Sequence, residues 1–171
     1  FAFRLHQFIS RGDTVYTSLE AADRRHITTH GQQFVPGDRN RILLPVAFCR
    51  ECGQEYYTVL HHEDPQTSAI TYLPRDLTDQ TGEDNQQCGF LYANADNPWP
   101  DDLRQAIADE RLPEDWLEHT PNGLQVKRAS QARLPLAVRV NPLGEEAAGG
   151  ALYQYVKSPF AFCLTCGVTY S

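Results

Sequence analysis

Phe48-Cys49-Arg50-Glu51-Cys52-Gly53 and Phe162-Cys163-Leu164-Thr165-Cys166-Gly167 are two copies of one pattern. Each is a C-x-x-C pair with Ala-Phe before it and glycine directly behind it. Each runs on into β-prone aromatic sequence, Glu55-Tyr56-Tyr57 after the first and Val168-Thr169-Tyr170 after the second. A C-x-x-C turn lets two thiolates converge on one metal. Glycine after the second cysteine permits positive φ, and backbone N–H groups in the turn can then hydrogen-bond the sulfurs. Two such knuckles make a tetrahedral four-thiolate site. Cys49, Cys52, Cys163 and Cys166 are therefore the expected ligands and zinc the expected cofactor. The strands leaving the knuckles should lie near one another, related by a local pseudo-twofold.

The separation of the pairs is unusual. Zinc ribbons place about 15–20 residues between their knuckles, whereas 110 lie between Cys52 and Cys163. Loop-closure entropy grows only slowly with length, so the matched flanks outweigh the distance. Disulfides are disfavoured by the odd count of five cysteines and the lack of a secretion signal. A redox C-x-x-C needs a helix N-terminus at its first cysteine, but glycine and a β-prone run follow both pairs. Cys88, before Gly89-Phe90, has no sequence partner and reads as a small buried thiol. Four thiolates with one Zn²⁺ would add −2 to the chain, and Arg50 could offset part of that.

Outward from the knuckles the chain reads mainly β with one or two short helices. Thr14–Leu19, Glu55–Leu60, Ile70–Leu73, Phe90–Tyr92, Leu124–Lys127, Leu136–Val140 and Ala151–Val156 are strand candidates. Ile42–Phe48 is another, and Pro45 should make it an edge or bulged strand. A helix is expected with Pro100 in its first turn, Asp101 and Asp102 at the positive end of its dipole, Leu103, Ala106 and Ile107 on one face, and Pro113 ending it. Leu5, Phe8 and Ile9 also sit at helical spacing. Gly82–Gln87 and Gly144–Gly150 read as mobile loops.

The chain has 171 residues and a net charge of −7. Residues 51–120 hold three Arg against sixteen acidic residues, while the flanks each carry a net +3. Such a balance argues against a uniformly nucleic-acid-binding surface. It leaves two basic edges as candidate phosphate contacts: Arg24, Arg25, Arg39 and Arg41 in the first fifty residues, and Lys127 with Arg128 later. The charge shift marks 61–121 as a candidate acidic insertion in a zinc-ribbon-like scaffold, all within one domain, 1–171. No stretch approaches the roughly 18 apolar residues of a membrane span, and the expected location is cytoplasmic. The absence of Met and the start at Phe1 suggest a fragment of a longer protein.

Catalytic patterns are lacking. His61-His62-Glu63 contains H-x-E, but no proline directly precedes Cys163 and the four cysteines already complete a set. Neither a G-x-S-x-G elbow nor a phosphate-binding P-loop occurs.

Several segments resemble a known family. Phe3-Arg4-Leu5-His6-Gln7-Phe8, Gly12 and Thr14-Val15-Tyr16 are similar to a segment of the large superfamily II DEAD/DEAH-box helicases that carry a metal-binding cysteine cluster. Residues 43–57 look like the first half of that cluster and residues 159–170 like the second. The resemblance implies that the four cysteines are metal ligands in an accessory module attached to a helicase ATPase core of the same chain. Neither a Walker A loop nor a DEAD/DEAH box is present, so the resemblance assigns no catalysis to this segment. The alternative is a protein-interaction zinc module that docks a partner through its acidic stretch.

Overall fold

The computed structural model describes residues 14–79 and 85–170. In chain order come β1 (Val15–Thr17), β2 (Ile27–Thr28), β3 (Phe34–Val35), β4 (Asp38–Ile42), β5 (Leu44–Phe48), β6 (Glu55–Glu63), β7 (Ile70–Pro74) and β8 (Gln86–Tyr92). Then follow α1 (Leu103–Ala108), β9 (Leu117–Thr120), β10 (Gly123–Val126), β11 (Leu136–Val140) and β12 (Ala151–Lys157). Beyond α1, helical backbone among the described residues is limited to 3-10 turns at Glu114–Trp116 and Arg128–Arg133. The fold is mainly β. None of its described helices is long and apolar enough to cross a membrane.

Eight strands form one antiparallel sheet in the order β11-β12-β8-β6-β5-β1-β2, with β7 also on β6. Strand β6 is the hub. Its one edge pairs with β8. Its other edge is shared end to end by β5, opposite Glu55–Tyr57, and β7, opposite Val59–Glu63.

That junction explains Pro45, which is not on an edge strand: β5 lies between β1 and β6. The β5–β6 ladder ends at Val46↔Tyr57, so the missing N–H of Pro45 falls where β6 changes partner. The Thr58 hydroxyl spans the gap, reaching the carbonyls of Arg75 at 2.9 Å and Pro45 at 3.4 Å.

Side chains alternate across the sheet, so adjacent residues feed opposite cores. Tyr57, Val59, Leu91, Tyr153 and Tyr155 pack with Leu44, Val46, Ile42, Leu19 and Tyr72 on one face. Tyr56, Phe90, Tyr92 and Val156 pack on the other with Trp99, Ala106, Leu112, Trp116, Val126, Phe162 and two of the cysteines.

The acidic stretch 61–121 does not behave as one unit. Its first part supplies β7 and β8 to the main sheet, and β8 lies between β6 and β12. Its second part lays α1 and the start of the β9–β10 hairpin over the second core, burying Trp99, Ala106 and Trp116. Asp101, Asp102, Asp109, Glu110, Glu114, Asp115 and Glu118 all face outward.

Helix α1 is shorter than expected at both ends. Asp102 is its N-cap, with the carboxylate accepting the Arg104 N–H at 2.9 Å, so Pro100 lies outside. Termination comes from Glu110 rather than Pro113. Glu110 has φ +55, its N–H bonds to Ile107 O at 3.1 Å, and the Arg111 N–H bonds to Ala106 O at 2.9 Å. This is a Schellman end with glutamate where glycine is usual.

Residues 144–150 form a hydrogen-bonded turn instead of a loose loop: Tyr72 N–H donates to Gly144 O at 2.7 Å and Glu146 N–H to Ile70 O at 2.9 Å. Strand β9 and the β3–β4 hairpin had no clear signal in the sequence. The helical spacing at Leu5, Phe8 and Ile9, the matching segment Phe3–Phe8 with Gly12, and Gly82 lie outside the described residues.

Candidate metal centre

The first knuckle is the tip of the β5–β6 hairpin and closes on the pair Phe48↔Glu55. The second closes on an equivalent bridge, Phe162↔Thr169. Their turns match bond for bond. Gly53 N–H donates to Cys49 O at 2.8 Å and Gly167 N–H to Cys163 O at 2.9 Å. Cys49 N–H donates to Gln54 O at 2.8 Å and Cys163 N–H to Val168 O at 2.9 Å. Gly53 and Gly167 hold φ of +76° and +71°, the conformation for which glycine stands after each pair. The expected local pseudo-twofold is present in the turns, although only the first knuckle leads into a long strand.

Across that axis the four sulfurs of Cys49, Cys52, Cys163 and Cys166 lie within 4.8 Å of one another. Cys49 Sγ is 3.8 Å from Cys166 Sγ, and Cys52 Sγ is 3.7 Å from Cys163 Sγ. A regular tetrahedron with Zn–S of about 2.3 Å has edges of about 3.8 Å. The two shortest separations therefore match the edge of a zinc tetrahedron, and the four-sulfur set is compact enough to hold one ion. All four ligands of such a closed site come from protein, which leaves no open position for substrate. The scaffold departs from a zinc ribbon, because the first knuckle is the tip of a hairpin in a large sheet while the second closes on an isolated bridge outside it.

The environment is polarised. Cys49 and Cys163 are buried at 2% and 0% exposure, while Cys52 and Cys166 are exposed. Cys52 also lines a cleft of about 860 Å³ bounded by Ala21, Arg24, Ala95 and Leu152. In the metal-free chain, burial opposes ionisation of Cys49. A hydrogen bond from Tyr170 and backbone N–H groups of the turn prevail, so its thiol is lowered to about 7. Burial pushes the Cys52 and Cys166 thiols up. A bound metal favours the thiolate form of all four.

Four side chains beyond the cysteines build the site: Tyr56, Tyr170, Arg111 and Gln54. The Tyr56 hydroxyl donates to Cys163 Sγ at 3.2 Å, and the Tyr170 hydroxyl lies 3.0 Å from Cys49 Sγ. Arg111, 5% exposed, donates from Nε to Leu164 O inside the second knuckle at 2.6 Å. It also reaches Pro98 O at 2.8 Å and both Asn97 O and the Tyr92 hydroxyl at 3.2 Å, and it lies over the Trp99 ring. No carboxylate pairs with it among the described residues. Gln54 Oε1 ties the halves together, accepting from Thr165 Oγ1 at 2.8 Å and Asn94 Nδ2 at 2.7 Å. The tyrosines were legible as a repeat, since each stands seven residues after the first cysteine of its own knuckle. Nothing local marks Arg111.

The six basic residues divide. Arg25 forms a two-pronged ion pair with Glu55, and Arg41 an ion pair with Glu20. Lys127 Nζ donates to Asp115 O at 2.7 Å. Arg24, Arg39 and Arg128 are exposed and have no ion pair among the described residues. His61, within β6, packs against the rings of Tyr72 and Tyr155. Cys88 is buried away from the cluster, with its thiol towards Asp79 O. No family model, curated protein or solved structure matches the chain.

Proposed function

We propose that this chain is a structural zinc module, and that it serves as an accessory domain on the ATPase core of a DNA helicase or translocase. The sulfur spacing of 3.7 and 3.8 Å carries the zinc half of the reading. The closed four-thiolate set supports a structural role rather than catalysis. The helicase half rests on the resemblance of residues 43–57 and 159–170. In this reading the metal clasps two hairpins far apart in sequence, and the module positions nucleic acid or docks on the motor.

Direct DNA contact would run through Arg24, Arg39 and Arg128. The test is anisotropy of labelled single-stranded and duplex DNA with the zinc-loaded chain over a salt series. Affinity should fall steeply with salt, and replacing the three arginines by alanine should flatten that slope. No affinity at low salt would remove the DNA-contact version. The outward orientation of seven acidic side chains across residues 101–118 favours a second reading, docking of a basic protein partner. Neutralising Asp101, Asp102, Asp109 and Glu110 should then abolish pull-down of that basic partner.

A further inference from the structure

The two tyrosines at the metal centre are related by the pseudo-twofold, and each crosses it. Tyr56 belongs to the first hairpin and bonds Cys163 of the second; Tyr170 belongs to the second and bonds Cys49 of the first. The direction at Tyr56 is fixed. Its oxygen accepts the Leu164 N–H at 2.8 Å, so its own proton is turned to the sulfur. Arg50, the counterpart of Leu164, makes the matching backbone bond to Tyr170. The other two sulfurs have no such hydroxyl among the described residues. Cys52 and Cys166 take a backbone N–H from Gln54 and Val168, and both are exposed.

We propose that the reciprocal tyrosine bonds divide the four thiolates into a held inner pair, Cys49 and Cys163, and an exchangeable outer pair, Cys52 and Cys166, through which metal is loaded and withdrawn by thiol-bearing donors and chelators. The proposal rests on the structural-zinc reading of the site. A hydroxyl bonded to a thiolate draws charge from sulfur and fixes the ligand's orientation, and burial excludes the incoming reagent. An exposed thiolate without that bond is the stronger nucleophile and the easier ligand to displace. The cleft beside Cys52 gives a reagent access to one member of the outer pair. Tyr56 and Tyr170 are thus positioning residues.

The test uses the zinc-loaded chain, with metal content measured first, a sub-stoichiometric amount of iodoacetamide, a chromogenic chelator and peptide mass mapping. Each event forms an Sγ–CH₂ bond and releases iodide with the electron pair of the broken C–I bond. Label should appear first on Cys52 and Cys166, with zinc released in step, while Cys49 and Cys163 stay unmodified until release. Tyr56→Phe should expose Cys163 but not Cys49, and Tyr170→Phe the reverse, each with metal loss faster by about 10- to 100-fold. A purely structural tyrosine would not give that crossed pattern. Uniform labelling of the native chain, or early labelling of the inner pair, would overturn the proposal even if both variants misfold. Failure to bind zinc in the first measurement would overturn the reading of the site itself.

Discussion

Arg111→Met should weaken the zinc-loaded protein far more than the metal-free chain. Arg111 is a buried cation whose hydrogen-bond partners are carbonyls and a phenol. Removing it strips the described donor from Leu164 O and Pro98 O, while Asn97 O keeps the Tyr92 hydroxyl at 2.5 Å. Orphaning the buried Leu164 O costs roughly 1–3 kcal/mol, and the part-buried Pro98 O adds less. Against that stands the relief of no longer burying a guanidinium without a counter-charge, itself several kcal/mol in order of magnitude.

In the metal-free chain the two effects nearly cancel. In the loaded chain the centre carries −2, attracts the cation, and makes its loss uncompensated. The expected difference between the two forms is about 3 kcal/mol. By the thermodynamic cycle this equals a zinc affinity weakened about 100-fold. The melting temperature of the loaded variant should drop by about 6–12 °C for a chain of this size. Calorimetry on both forms, with zinc affinity from a competing chelator, measures each corner of the cycle. An equal loss in both forms with unchanged zinc affinity would show that Arg111 only packs and plays no electrostatic part at the metal.

The two knuckle glycines should differ when changed to alanine. Gly53→Ala meets nothing within 4 Å and should cost only the left-handed conformation, about 1–2 kcal/mol. Gly167→Ala would place a methyl 2.4 Å from Glu110 O and should cost at least about 2 kcal/mol more in denaturant melts. Glu110→Gly relieves the positive φ at the end of α1 and should stabilise the chain by about 0.5–1 kcal/mol in the same assay. Glu20 is also informative. Burial opposes its ionisation, but hydrogen bonds from Arg41 and Ser18 prevail and hold its carboxyl below the usual range. Its contribution is therefore present above the unfolded carboxylate pKa and lost as pH falls through the lower folded value. Glu20→Gln should flatten that part of the acid limb of a pH–stability profile taken on the metal-free chain.

Much of this centre was legible in the sequence because a zinc knuckle is a local object. Cys49 through Gly53 and Cys163 through Gly167 encode their turns by spacing and by glycine alone, and the aromatic residues beyond the first announce strand β6. What joins the knuckles was not legible. Pro45 suggested an edge, yet the partner change along β6 is a property of the whole sheet. The acidic composition of 61–121 suggested a separate insertion, but charge reports only the outward faces. The same segment carries Tyr72, Phe90 and Tyr92 into the sheet and Trp99 and Trp116 into the core. Arg111 stands among acidic residues with no local sign of burial. Its burial follows from the left-handed turn at Glu110, which no local pattern foretold.

Whether four cysteines from two distant knuckles hold one metal between them is decided by X-ray absorption at the zinc edge, together with metal content. One zinc per chain in a shell of four sulfurs at about 2.3 Å is the expected result. Nitrogen or oxygen in that shell, or a chain that folds without binding zinc at all, would contradict it.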